Sequence, residues 1–148
     1  MAESKVKLTK HMEDMLEREG MIFVGTCSKD GVPNVSVRTA YAVLGDDAIV
    51  MLDYFRHKTY WNWQENDKVA VSVVDRKNID GYQFKGKCEI ITETAEIKEL
   101  LKKIYKNPHS LATLFDRQIT GLPPIVIKFT IEEVYSLRPV ERSKERIR

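Results

Sequence analysis

The segment SKDGVPNVSVRTAYAV, residues 28–43, constrains the fold more than any other part of the chain. Its Asp30-Gly31 pair tolerates the positive φ angles that a tight hairpin turn needs. After the turn the residues alternate with the two-residue period of a strand. Val35, Val37, Tyr41 and Val43 fall on one face of that run, and Asn34, Ser36, Arg38 and Ala40 on the other. The preceding MIFVGTC, residues 21–27, reads as an apolar strand. Two strands joined by a hairpin pair antiparallel, so the sheet starts as an antiparallel one.

Further along, AIVMLDY predicts a third strand, residues 69–74 a fourth, GYQFKGKCEIITE a fifth from Gly81, and PPIVIKFTIEEVYSL a sixth. Tyr82, Phe84, Cys88 and Ile90 share one face of the fifth, with Gly86 allowing a close backbone approach or a sharp coil. Three helices punctuate these strands. Residues 8–18 carry Leu8, Met12, Met15 and Leu16 at helical spacing, with Thr9 as cap and Gly20 just past the end. A short helix follows the third strand. Thr94 caps another whose stripe of Ile97, Leu100, Leu101 and Ile104 is expected in the core. Six strands at short spacing with a few flanking helices predict a mainly β, antiparallel barrel or sandwich, and the barrel is favoured because closure removes exposed sheet edges.

Composition narrows the function classes. The 148 residues suit one domain over the whole chain, with the N-terminal helix inside residues 1–20 and a flexible charged tail over 139–148. The start of the chain lacks a signal-peptide core, and no run approaches the roughly 20 apolar residues of a membrane span, so a cytoplasmic location and no membrane partner are expected. Twenty-four Lys and Arg against 22 Asp and Glu leave a formal charge of +2, which argues against nucleic acid as a partner. Cys27 and Cys88 lack CxxC spacing and read as small buried hydrophobes. His11, His57 and His109 are scattered, so neither a metal site nor a protein nucleophile is expected.

The stretch FRHKTYWNWQEN, residues 55–66, holds the chemistry. Arg56, His57, Lys58 and Thr59 occupy the entrance of the short helix, where free N–H groups and the helix dipole favour an anion. Lys58, Thr59 and Asn62 are spaced to converge on one helix face as a phosphate cradle. The same spacing also fits a solvated basic turn in which Thr59 serves only as a cap. Trp61 and Trp63 cannot share a helical face, so one is expected in the core and the other against a partner subunit. Asn34, Ser36 and Arg38 on the second strand and Gln83 on the fifth are expected to present donors on the outside of the barrel.

The succession TCSKDGVPNVSVR, AIVMLDYFRHKTYWNWQEN and VAVSVVDRKNIDGYQFKGKCEIITE resembles the pyridoxamine 5'-phosphate oxidase-like, FMN-binding split-barrel family, and most of all its short members. The resemblance covers residues 21–93 and implies a six-stranded Greek-key split barrel that forms a homodimer with FMN in two clefts between subunits. It maps the FMN phosphate onto Arg56, His57, Lys58 and Thr59, with Asn62 supporting that loop. The flavin ring maps onto Ser36, Val37, Arg38 and Thr39, together with Met51, Leu52 and Asp53, and Gln83 reaches it from the fifth strand. The implied activity is that of an FMN-dependent oxidoreductase, with NAD(P)H or a small redox substrate as partner. A non-catalytic flavin carrier, or the same fold binding F420 or haem, stands as the alternative. The ending YSLRPVERSKERIR lacks the substrate-binding segment of the true oxidases, which puts pyridoxamine phosphate in doubt as substrate.

Overall fold

A computed structural model describes residues 6–108 and 123–139. In chain order the elements are α1 (Lys10–Glu19), β1 (Ile22–Cys27), β2 (Pro33–Arg38), β3 (Tyr41–Leu44), β4 (Ala48–Asp53), α2 (Lys58–Glu65), β5 (Lys68–Asp75), β6 (Asp80–Ile90), α3 (Thr94–Lys106) and β7 (Ile125–Ser136). The strands form one sheet in the order β2-β1-β5-β6-β7-β4-β3, and every neighbouring pair is antiparallel. The mainly antiparallel split barrel expected from the sequence is therefore present, with seven strands rather than six.

The extra strand arises because NVSVRTAYAV is not continuous. β2 pairs with β1 at one edge of the sheet, whereas β3 pairs with β4 at the opposite edge. Only Thr39 and Ala40 link them, and three Cα steps reach at most about 11 Å. The sheet must therefore curl until its two edges nearly meet, which leaves a split between β2 and β4. The expected common face of Val35, Val37, Tyr41 and Val43 is broken by the same step. Tyr41 is buried, while Val35 and Val37 are 70% and 45% exposed.

Local features follow the sequence closely. The β1–β2 turn places Gly31 at φ 87°, and Ser28 and Gly31 N–H groups donate to the Val32 and Ser28 carbonyls. Thr9 accepts from the Met12 N–H at the start of α1, and Gly20 ends that helix in the left-handed region. Glu93, one residue before the expected Thr94, caps α3 by accepting from the Ala95 N–H. At Gly86 the β6–β7 register shifts, and a Cβ there would lie 1.9 Å from the Thr130 carbonyl oxygen. Any side chain would force the two strands apart.

Two apolar clusters hold the fold. The barrel interior packs Val24, Met51, Val71, Phe84 and Phe129 with Met15 and Leu16 of α1 and Trp63 of α2. The second lies between the outer side of β4 and α3, where Val50, Leu52 and Val126 meet Leu100 and Ile104, with Ile97 and Leu101 partly buried beside them. Each fully buried aliphatic side chain of this kind contributes about 1.5–3 kcal/mol. Cys88 lies in the interior, where burial holds its thiol well above the usual range, and Cys27 is half-buried. Among the described residues no helix is long and apolar enough to cross a membrane. His109 and residues 140–148 of the tail lie outside the described residues.

Candidate functional site at the barrel split

Where the sheet edges approach, β4 ends in Asp53 and the chain turns into α2. Asp53 is buried, and its Oδ1 accepts from the Phe55 and Arg56 N–H groups at 3.1 and 2.8 Å. These bonds hold Arg56 at φ 52°, a conformation that side-chain-bearing residues adopt rarely. His57 then occupies the N-cap of α2 and makes no side-chain cap bond. The first-turn N–H groups of a helix have no intrahelical partner, so this entrance is open to an anion.

A polar seam holds α2 against the sheet. Thr59 Oγ1 donates to Ser36 Oγ at 2.8 Å and accepts from Asn34 Nδ2 at 3.1 Å. Behind it, Asn62 Nδ2 donates to Thr26 Oγ1 at 3.0 Å. Register shows which face of β2 is involved: Ser36 pairs with the buried Val24, and Asn34 with the buried Thr26. Asn34, Ser36 and Arg38 thus point to the inside of the barrel, not to the expected outside. The reversal has a physical cause, since α2 brings hydroxyl and amide partners to the inner side of an edge strand.

Arg38 closes the seam. Its guanidinium bonds Asp53 Oδ2 at 3.1 Å and the Val37 carbonyl at 2.9 Å, and it lies 5.5 Å from the Trp63 ring centroid. Burial lowers the Arg38 pKa from its usual value while Asp53 opposes that shift, and an arginine stays protonated throughout. Two guanidinium nitrogens, Arg38 Nε and Arg56 Nη1, are buried with no hydrogen-bond partner among the described residues. A buried donor left unmade costs about 1–3 kcal/mol, so both call for an acceptor.

Two adjoining hollows open here. The first, of about 260 Å³, runs along Ser36–Ala40 and Leu52–Phe55 to His57 and Thr59. The second, of about 520 Å³, shares Ser36, His57 and Thr59 and adds Asn34, Arg56, Lys58 and Trp61. Cofactor pockets run to about 300–1,000 Å³, a range the first reaches only together with the second. Phe55 stacks on His57 with centroids 6.0 Å apart, and Trp61, 59% exposed, stands at the rim.

Most of the predicted residues meet at this split. Ser36, Val37, Arg38, Thr39, Leu52, Asp53, His57 and Thr59 line the first hollow, and Arg56 and Lys58 line the second. Three do not. Met51 is fully enclosed in the barrel interior. Asn62 sits one layer behind Thr59, so it does not converge with the exposed Lys58 on a single face. Gln83 follows the row Val37, Phe23, Ser72, Gln83 and Tyr135 across the sheet, which is its outer face. Of the two tryptophans, Trp63 is buried and Trp61 exposed, the division that their spacing required. Asn34, Ala40, Tyr54, Phe55 and Trp61 also line the hollows. The step of two from Ser36 back to Asn34 was the available signal for the first of these.

Fold and cleft together define a split barrel with an anion-ready helix entrance beside an apolar slot. A family model described as Pyridoxamine 5'-phosphate oxidase matches residues 8–138, and the chain belongs to that family. An uncharacterized protein of Methanocaldococcus jannaschii is 38% identical over 138 residues, spanning 92% of this chain and 85% of that protein. Among solved structures, Group A Streptococcus HupZ superposes with a TM-score of 0.70 at 23% identity, covering 89% of this chain and 95% of that one. An FMN-binding protein from Syntrophomonas wolfei gives a TM-score of 0.65 at 17% identity, covering 84% and 82%. The haem storage protein HutZ from Vibrio cholerae (TM-score 0.69, 12% identity, 87% and 94% covered) and an F420 reductase (0.63, 22%, 86% and 98%) share the fold.

Proposed function

We propose that the chain binds FMN in the cleft at the barrel split and acts, as a homodimer, as an FMN-dependent oxidoreductase. The observation that carries this reading is the pairing of an apolar slot with a cationic hollow at the open N-terminus of α2, each lined by an arginine with a guanidinium nitrogen unmet among the described residues. In this reading Arg56, His57, Lys58 and Ser36 hold the phosphate with Thr59 supporting them from behind, and Val37, Arg38, Thr39, Leu52 and Asp53 flank the ring. Arg38 gives one N–H to Asp53 and one to the Val37 carbonyl, and its buried Nε, without a partner among the described residues, is a donor it has to offer.

The dimer accounts for Gln83. It shares the outer face of the sheet with the exposed Val35, Val37 and Phe23, an apolar surface that a second copy would cover. Gln83 would then serve the partner's cleft and not its own. Bound flavin supplies hydride chemistry that no protein side chain provides. The chain's own part is to hold the phosphate, keep the ring in the apolar slot and exclude water, with NAD(P)H or a small redox molecule as reaction partner.

F420 stands as the second reading, because it too carries a phosphate and a flavin-like ring, and a reductase using it shares this fold. Titrating FMN into the apoprotein by fluorescence quenching tests the proposal. One site per chain is expected, and Lys58→Ala should weaken it by about 1–3 kcal/mol, the scale of a charge-assisted hydrogen bond. An unchanged affinity would remove the phosphate assignment. Steady-state turnover with NAD(P)H and an acceptor separates an enzyme from a flavin carrier.

A further inference from the structure

We infer that Ser36, and not Thr59, is the hydroxyl that donates to the ligand's phosphate, and that Asn34 and Thr59 position it through a one-way hydrogen-bond relay. The inference rests on the FMN reading above and goes further by assigning who donates. A hydroxyl carries one proton and can accept while donating it. Thr59 is 2% exposed, accepts from the Asn34 amide at 3.1 Å and gives its proton to Ser36 at 2.8 Å. Its donor capacity is spent within the protein.

An amide N–H cannot accept, so the Thr59 proton does not go to that group; with Thr59 buried, the acceptor within reach of its proton is Ser36 Oγ. Ser36 therefore receives a hydrogen bond and keeps its own proton. Among the described residues Ser36 donates to no other group, and it lines both hollows, between Arg38 on one side and Arg56 and Lys58 on the other. Hydrogen bonds in series polarise one another, which makes the last hydroxyl a stronger donor than an isolated serine. The Lys-Thr pair at the helix entrance then has divided duties. Lys58 supplies charge, while Thr59 is a positioning residue that aims Ser36.

The experiment compares FMN with riboflavin, which lacks the phosphate, on the full chain and its variants by flavin fluorescence quenching. Ser36→Ala is expected to raise the Kd for FMN about tenfold and to leave that for riboflavin within about twofold, the effect of losing one hydrogen bond to a charged group. Thr59→Val should reproduce this pattern, and Thr59→Ser, which keeps the relay, should restore wild-type FMN binding. Riboflavin affinity doubles as the check on folding. Wild-type preference for FMN that survives Ser36→Ala overturns the relay alone, as does an equal loss of both ligands in that variant. A wild-type protein that does not favour FMN over riboflavin overturns the phosphate reading and the relay with it.

Discussion

β2 and β4 are strands of six residues that border the same cleft, and they are buried in opposite ways. All of β4 is enclosed, because the barrel interior lies on one side and α3 on the other. β2 turns its valines outward to solvent and its Asn34, Ser36 and Arg38 inward to α2. The contrast separates scaffold from site. β4 is apolar until its last residue, Asp53, which reaches the cleft only because the strand ends there. In β2 polar atoms are brought inside on purpose, and the apolar face left outside is a surface that needs a cover.

Cutting the Arg38–Asp53 link between the two strands should have the largest effect. Asp53→Ala leaves the Arg38 guanidinium buried without its partner and removes the acceptor for the Phe55 and Arg56 N–H groups. Breaking a buried pair from one side costs about 3–5 kcal/mol, read as a shift in the urea midpoint. A loss below about 1 kcal/mol, the scale of an exposed ion pair, would mean that the pair does not organise the cleft.

The strands themselves should respond unequally. Met51→Ala opens a cavity in the interior and is expected to cost about 2–5 kcal/mol. Val37→Ser, on the exposed face of β2, should change unfolding of the isolated chain by no more than about 0.5 kcal/mol. The same variant should shift sedimentation toward the monomer. Equal losses of stability at the two positions would erase the distinction between scaffold and site.

A smaller effect belongs to neither strand and serves as a control. Asp75 accepts from the Asn78 side chain at 2.7 Å and from its N–H at 3.1 Å, and these bonds, with Arg18 assisting, hold its carboxyl below the ordinary value of 3.8. A depressed carboxyl stabilises the fold above its unfolded value, and that contribution is lost as pH falls through the folded one. Below pH 3.8 the Asp75→Asn protein should therefore lose stability less steeply than wild type. Parallel slopes in urea titrations at stepped pH would remove Asp75 from acid unfolding.

Much of the architecture was legible in local chemistry. The Asp30-Gly31 turn, the caps at Thr9 and Gly20, the α3 stripe and the close approach at Gly86 each depend on residues next to one another in sequence. What stayed hidden depends on residues far apart. Alternation runs through Arg38, Thr39, Ala40 and Tyr41 with no glycine or proline to mark the break, and only pairing with β1 and β4 shows that the chain changes edge. Alternation also says that two faces differ without saying which is inside, so on its own it does not turn the polar side of β2 inward. The site shows the same limit. The helix entrance from Arg56 to Thr59 and the outward side of Gln83 were readable from composition and alternation, whereas Met51 and Asn62 share the local pattern and point elsewhere.

The most direct test of the account is the absorption spectrum of the purified protein, followed by mass identification of whatever mild denaturation releases. Flavin bands at about 370 and 450 nm, general properties of the cofactor, are expected, with FMN as the released molecule. A spectrum of haem or of a deazaflavin, or a colourless protein that fails to bind added FMN, would contradict it.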